Sequence, residues 1–172
     1  MDTQRIVSAL GIAPGQHVAD LGCGTGYFTI EMAKAVGKDG VVSAVDVMQE
    51  PLQSVQSRAE AMGLGNIQAI RADLEVLGGT KIPDNSQDLA LLANTMFQSQ
   101  KKEAMLAEGV RMLKPGGRLV VIEWKKGAVG FGPPDALRTS EDAMRTLATA
   151  AGVRFERSLD AGTFYFGQVY LK

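Results

Sequence analysis

Apolar residues along this chain change period again and again, from short continuous runs to spaced stripes and back. QHVADLG carries Val18, Ala19 and Leu21 ahead of a glycine, the pattern of a short buried strand. GYFTIEMAKAVG then sets Phe28, Met32 and Val36 at i, i+4 and i+8, one face of a helix that Gly37 ends. VVSAVDV, from Val41 to Val47, predicts a second strand. PLQSVQSRAEAMG predicts a helix with Pro51 near its first turn and Gly63 just past its end. NIQAIRAD reads as a third strand, and DLALLANT, almost wholly apolar, as a fourth that is buried on both faces. KKEAMLAEGVRMLK has a helical stripe of Met105, Leu106, Val110 and Leu113. KPGG then turns the chain into a fifth strand, RLVVIEW. TSEDAMRTLATAAG starts a helix with Ser140 as N-cap and Glu141 and Asp142 in the first turn. VRFERSL and TFYFGQVYLK, joined by DAG, predict a closing antiparallel hairpin.

Strand–helix alternation predicts a doubly wound α/β sheet, parallel for most of its width, with helices on both faces. No repeat interrupts it, so residues 1–172 read as a single domain. The one long irregular stretch, Lys125 to Arg138, is a candidate lid or pocket wall. Composition narrows the partners. With 22% charged residues and a net charge of −1, the chain has no overall pull toward nucleic acid or an anionic membrane. The single cysteine, Cys23, excludes an internal disulfide and a cysteine-rich metal site, and it suits a reducing compartment. No apolar segment has the length of a membrane span, and MDTQRIVSALGIAPGQ lacks the core of a signal peptide. The expectation is a cytoplasmic chain with no resident metal.

Candidate chemistry gathers at the end of the first strand, in VADLGCGTGYFT. Ligands of open α/β sheets bind beyond the carboxyl ends of the strands, where strand order reverses. Gly22, Gly24 and Gly26 are spaced Gly-x-Gly-x-Gly. A dinucleotide fingerprint needs Gly-x-Gly-x-x-Gly, and position 27 is Tyr. The Gly-Lys-Ser/Thr of a phosphate loop is missing. Asp20, two residues before the first glycine, would repel a pyrophosphate and would suit a ligand bearing an ammonium and a sulfonium. Asp46 ends the second strand, where a carboxylate can take both hydroxyls of a ribose. That argues for a ribose without choosing the cofactor. Asp73 ends the third strand, where it could accept from the exocyclic amine of an adenine.

Together these stretches resemble the class I S-adenosylmethionine-dependent methyltransferases. VADLGCGTGYFT resembles their first motif, VVSAVDV their acidic second and RADLEV their third. DLALLANTMFQ resembles their fourth-strand motif, and LKPGGRLVVIEW their turn into strand five. The resemblance spans about Gln16 to Lys172 and is nearest the small-molecule branch, the ubiquinone/menaquinone-biosynthesis-like enzymes. It implies a Rossmann-like, seven-stranded, mostly parallel sheet in the order 3-2-1-4-5-7-6, with strand 7 antiparallel. It implies S-adenosyl-L-methionine as cofactor and S-adenosyl-L-homocysteine as product. By position, Asp20, Gly22, Cys23, Gly24 and Gly26 would line the methionine part. Asp46 would hold the ribose, Val47 and Met48 would pack near the adenine, Asp73 and Leu74 would read its edge, and Asn94 would sit near the methyl group.

Methyl transfer asks mainly for orientation, plus a base if the nucleophile arrives protonated. His17, the only histidine, begins strand one at the wrong edge. Glu123, at the end of strand five, is the candidate catalytic group, and Met96, Phe97, Trp124 and Phe131 are candidates for an apolar substrate wall. Only Met1 to Gly15 precede the first strand, room for one short helix, QRIVSAL. The site is therefore expected to be open, or to be completed by the Lys125–Arg138 loop, by further sequence or by a second subunit in a homodimer. The expected activity is methyl transfer to a small-molecule acceptor. The alternatives are a nucleotide-dependent oxidoreductase, which Tyr27 and Asp20 disfavour, and a non-catalytic cofactor-binding scaffold of the same fold.

Overall fold

A computed structural model describes residues 1–128 and 130–172. Seven strands form one sheet in the order β3-β2-β1-β4-β5-β7-β6. In chain order the elements are α1 (Thr3–Ala9), β1 (His17–Leu21), α2 (Tyr27–Val36), β2 (Val41–Asp46), α3 (Gln49–Ala61), β3 (Ile67–Arg71), β4 (Gln87–Ala93), α4 (Lys102–Met112), β5 (Leu113–Trp124), α5 (Glu141–Ala150), β6 (Arg154–Leu159) and β7 (Tyr165–Leu171). Strands β1 to β5 pair in parallel, and β7 runs antiparallel to both β5 and β6. The sequence expectation of sheet order and strand direction is met.

Strand alternation divides the core. Val18, Leu89, Leu91, Val120 and Ile122 point to one face, where Ile6 and Val7 of α1, Leu10 just after it, and Phe28, Met32 and Val36 of α2 cover them. Ala19, Leu21, Ala90, Leu92, Leu119 and Val121 point to the other, under Leu106 and Val110 of α4 and Met144 of α5. Helix α1 is capped by Asp2, whose side chain accepts the Arg5 N–H at 3.0 Å. At its other end the Arg157 guanidinium donates to the Ala9 carbonyl at 2.9 Å. The cap stabilises α1 itself, and the Arg157 bond ties its end to β6. Ser140 caps α5 as its sequence predicts, accepting from the Ala143 N–H.

One element differs from the sequence reading. KPGG does not separate a helix from a strand. Helix α4 stops at Met112, and Leu113 already pairs with Gln87. Two steps along β4, to Leu89, then correspond to five along β5, to Arg118, so KPGG is a bulge inside one long strand. Gly116, at φ +79°, supplies the left-handed bend, and its N–H donates to the Lys172 carbonyl at 3.0 Å. The connection from β3 to β4 carries no helix. Buried Glu108 of α4 holds it instead, accepting from the Gly78 N–H at 2.7 Å and the Thr80 hydroxyl at 2.6 Å. Arg111 pairs with Glu108 at 2.8 Å and donates to the Ile82 carbonyl at 2.8 Å. Burial alone would raise the Glu108 carboxyl, but the hydrogen bonds from Arg111, Thr80 and Gly78 outweigh it and hold the group at about 2.

Removing this carboxylate leaves the Gly78 and Thr80 donors without their acceptor and Arg111 with the exposed Asp84 as its remaining ionic partner. Glu108→Ala is expected to lower unfolding free energy by about 3 kcal/mol or more in chemical denaturation. Because the folded-state value is depressed, the contribution is whole above the ordinary carboxylate value of 4.5 and fades as pH falls from there toward about 2. The variant's deficit should therefore shrink across that acid range.

Candidate active site

Beyond the carboxyl ends of β1 to β4 lies a cavity of about 890 Å³. Gly22 and Gly24 lie on its wall at φ +78° and +51°, conformations that side chains resist. A Cβ on Gly22 would meet the Thr95 side chain at 2.4 Å, so strand β4's continuation packs hard against the turn. A Cβ on Gly24 would meet nothing within 4 Å, so there the bare backbone fronts open space. Gly26, expected beside them, does not line the cavity. At φ +82° it starts α2, and its missing Cβ makes room for Val55 of α3, which would otherwise stand 2.7 Å away.

Asp20 lines the cavity but is only 2% exposed. Its Oδ2 accepts the Thr29 hydroxyl at 2.5 Å, and among the described residues no cation bonds to it. Burial pushes its carboxyl up to about 6; the Thr29 hydrogen bonds oppose this, and the nearby Asp46 charge adds to it. Asp46 stands at the next strand end. Its two oxygens accept the Gly24 and Met48 N–H groups, each at 3.0 Å, which ties β2's end to the glycine turn and leaves each oxygen a further lone pair. Val47 and Met48 follow on the cavity wall, exposed at 58% and 57%. Asp73 lies just beyond β3, its Oδ1 accepting the Glu75 N–H at 2.9 Å, with Leu74 buried beside it. Asn94 follows β4 in a left-handed conformation, φ +54°. It borders the cavity, and its Oδ1 is buried with no hydrogen-bond donor. Cys23 lines the cavity too, but burial and the charges of Asp20 and Asp46 drive its thiol far up, so it is no nucleophile.

Glu123, the last residue but one of β5, lies at the expected sheet edge, yet it does not border the cavity. It is 2% exposed and turns under the residues that follow β4, accepting the Met96 N–H at 2.8 Å. The expected aromatic wall lies elsewhere as well. Met96 is fully buried, while Trp124 packs against Phe131 and Tyr165 with ring centroids 5.6 and 4.4 Å apart. In the stretch Lys125–Arg138, of which Val129 is outside the described residues, Arg138 gathers the carbonyls of Lys125, Ala128, Phe131 and Pro133. None of the described residues of that stretch borders the cavity. Its rim is completed instead by Met1 and Thr3 at the start of α1.

Several cavity residues escape a reading of the sequence alone. Tyr27, half held by Arg58 stacked 4.6 Å above its ring, looks like an ordinary first helical residue. Thr95 and Ser99 matter because β4 neighbours β1 and because Ser99 donates to Glu75 at 2.6 Å across the cleft. Sheet order is the signal that could have found Thr95, since it sets the residues after β4 against those after β1.

A sheet in this order, with a glycine turn after β1 and acidic residues closing β1 and β2 and following β3, defines the class I S-adenosylmethionine-dependent methyltransferase fold. The methyltransferase-domain family matches residues 18–117, and the chain belongs to that family. It is similar to the ubiquinone/menaquinone biosynthesis C-methyltransferase UbiE of Psychromonas ingrahamii, 37% identical over 119 residues, which are 69% of this chain and 46% of that protein. The same enzyme of Ectopseudomonas mendocina is 38% identical over 117 residues, 67% of this chain and 44% of the relative. The chain thus spans about half the length of the curated relatives it matches. Among solved structures, a SAM-dependent methyltransferase from Aquifex aeolicus superposes with a TM-score of 0.89 at 28% identity, over 99% of this chain and 89% of the other.

Because the folded-state value of Asp20 is raised, its ionisation costs stability as pH climbs from 3.8 through about 6, and the full cost persists above that. Asp20→Asn removes the charge while keeping an acceptor for Thr29. Without ligand, the variant is expected to be about 1–3 kcal/mol more stable than wild type at pH 7.5, with the gain vanishing near pH 4. Thermal unfolding over that pH range measures it.

Proposed function

We propose that the chain transfers a methyl group from S-adenosyl-L-methionine to a small-molecule acceptor, and that residues 1–172 act as one domain for this purpose. The observation that carries the reading is Asp20, a nearly inaccessible carboxylate with no cationic partner among the described residues, set beside a bare glycine turn. A ligand with an ammonium and a sulfonium completes that electrostatic environment, whereas a pyrophosphate worsens it. Asp46 supports ribose binding through its remaining lone pairs. Exposed Val47 and Met48 offer an apolar surface to adenine, and Asp73 with Leu74 borders the same end. Gly22, Cys23 and Gly24 would border the methionine arm, and the orphan Oδ1 of Asn94 marks a polar position that a ligand donor could satisfy after a small side-chain turn. The residues present therefore fit this cofactor.

The bound cofactor would supply an electrophilic methyl group on sulfur. The chain's own part is to hold and orient: Asp46 fixes one end, Asp20 the other, and the turn after β4 forms the wall between cofactor and acceptor. The names of the curated relatives support a carbon acceptor in a quinone-like ring, but no residue of the cavity selects one. No helix among the described residues is long and apolar enough to cross a membrane.

Calorimetric titration should find S-adenosylhomocysteine binding at least about tenfold more tightly than NADH. Tighter binding of NADH would overturn the reading in favour of an oxidoreductase. A methyl-labelled cofactor assay over a metabolite panel then tests turnover, and tight binding without transfer to any acceptor would point to a scaffold.

A further inference from the structure

Glu123 is a buried carboxylate for which the proposed chemistry has no direct use. Among the described residues it has no basic partner; main-chain N–H groups surround it instead. Oε1 accepts from Met96 at 2.8 Å and Oε2 from Trp124 at 3.4 Å, and the N–H groups of Thr95 and Phe97 also interact with the carboxylate. Met96 to Gln98 form a single 3-10 turn. The opening N–H groups of such a turn have no partner within it, so an acceptor placed against them decides whether the turn keeps its shape.

What that turn touches gives Glu123 its importance. Thr95 fills the space beside Gly22, its Cγ2 and Oγ1 both 2.4 Å from where a Cβ would stand. Its hydroxyl donates to the Ala93 carbonyl at 3.1 Å. Asn94, one residue earlier, is held by its N–H donating to the Ile122 carbonyl at 2.8 Å and borders the cavity. Strand β5 therefore locks Asn94 and Thr95 from behind, and Thr95 braces the glycine turn from the side. Along the sheet edge Asp73, Asp46, Asp20 and Asn94 follow the order β3-β2-β1-β4, at about 4.8 Å per strand. The braced wall lies at the Asp20 end, roughly 10–14 Å from the Asp73 end.

We propose that Glu123 is a positioning residue whose carboxylate fixes the Asn94–Gln98 turn and, through Thr95 and Gly22, shapes the part of the cavity that takes the amino-acid arm of the cofactor. The inference rests on the cofactor reading above. It assigns Glu123 no contact with substrate and no proton transfer. Glutamine at this position keeps the shape but presents an NH₂ to a main-chain donor, so the turn must shift.

Two ligands separate this role from general destabilisation. S-adenosylhomocysteine carries the amino-acid arm; 5′-methylthioadenosine keeps the adenosine and the thioether but lacks the arm. In Glu123→Gln, affinity for S-adenosylhomocysteine should fall by at least about tenfold, while affinity for 5′-methylthioadenosine should stay within about twofold of wild type. Thr95→Ala, which removes the brace without touching the buried carboxylate, should shift the ratio the same way, and it decides the matter if Glu123→Gln does not fold. Equal weakening of both ligands, or no change in either, overturns the inference. A wild-type chain that binds neither ligand defeats the cofactor reading as well, whereas wild-type binding with an unchanged ratio in the variants defeats this inference alone.

Discussion

A carboxylate withdrawn from water with no cation against it is the constraint around which this site is arranged. Asp20 sits at the end of a central strand, between β2 and β4, where the sheet is covered on both faces. Only Thr29, through its hydroxyl and its main-chain N–H, directly offsets its desolvation, so its carboxyl rests near 6 rather than in the ordinary range. Such a group is a strained element until a ligand supplies the missing charge. The glycine turn that follows is the complement of that requirement. Its left-handed residues bring the backbone close to Asp20 without filling the space the ligand needs.

Two further buried carboxylates hold the walls. Glu108, fully buried and paired with Arg111, pins the helix-free crossover after β3 to α4, and so fixes the segment that carries Asp73 and Leu74. Glu123 caps the turn after β4 with main-chain bonds alone. The three acids differ in partner and therefore in electrostatics. The one with a guanidinium is held at about 2, while the two without a cation are raised. The cationic ligand proposed for the cavity has one of these, Asp20, as its partner.

Much of this was legible from residue order. Short continuous apolar runs located the strands, and the glycine turn with Asp20 and Asp46 located the edge of the sheet that carries the cavity. These features are local, set within a few residues of one another. The misplaced features depend on pairing between distant parts of the chain. KPGG is a bulge because Gly116 and Gly117 bond with Lys172, more than fifty residues later. Gly26 is needed by Val55, not by the cavity. Glu123 sits at the predicted strand end, but the direction of its carboxylate follows from a turn after β4 that only sheet order brings beneath it. Trp124 and Phe131, expected around a substrate, pack on one another where Arg138 folds their loop back on itself.

The central claim is that a cationic ligand ionises Asp20 and stays paired with it. Calorimetry of S-adenosyl-L-methionine in buffers of different ionisation enthalpy measures this directly, because binding must expel the proton that the buried carboxyl holds. The account predicts release of about half a proton per site near pH 6, almost none at pH 8, and affinity that rises with pH between those limits. Binding that exchanges no proton and keeps one affinity across that range would contradict it.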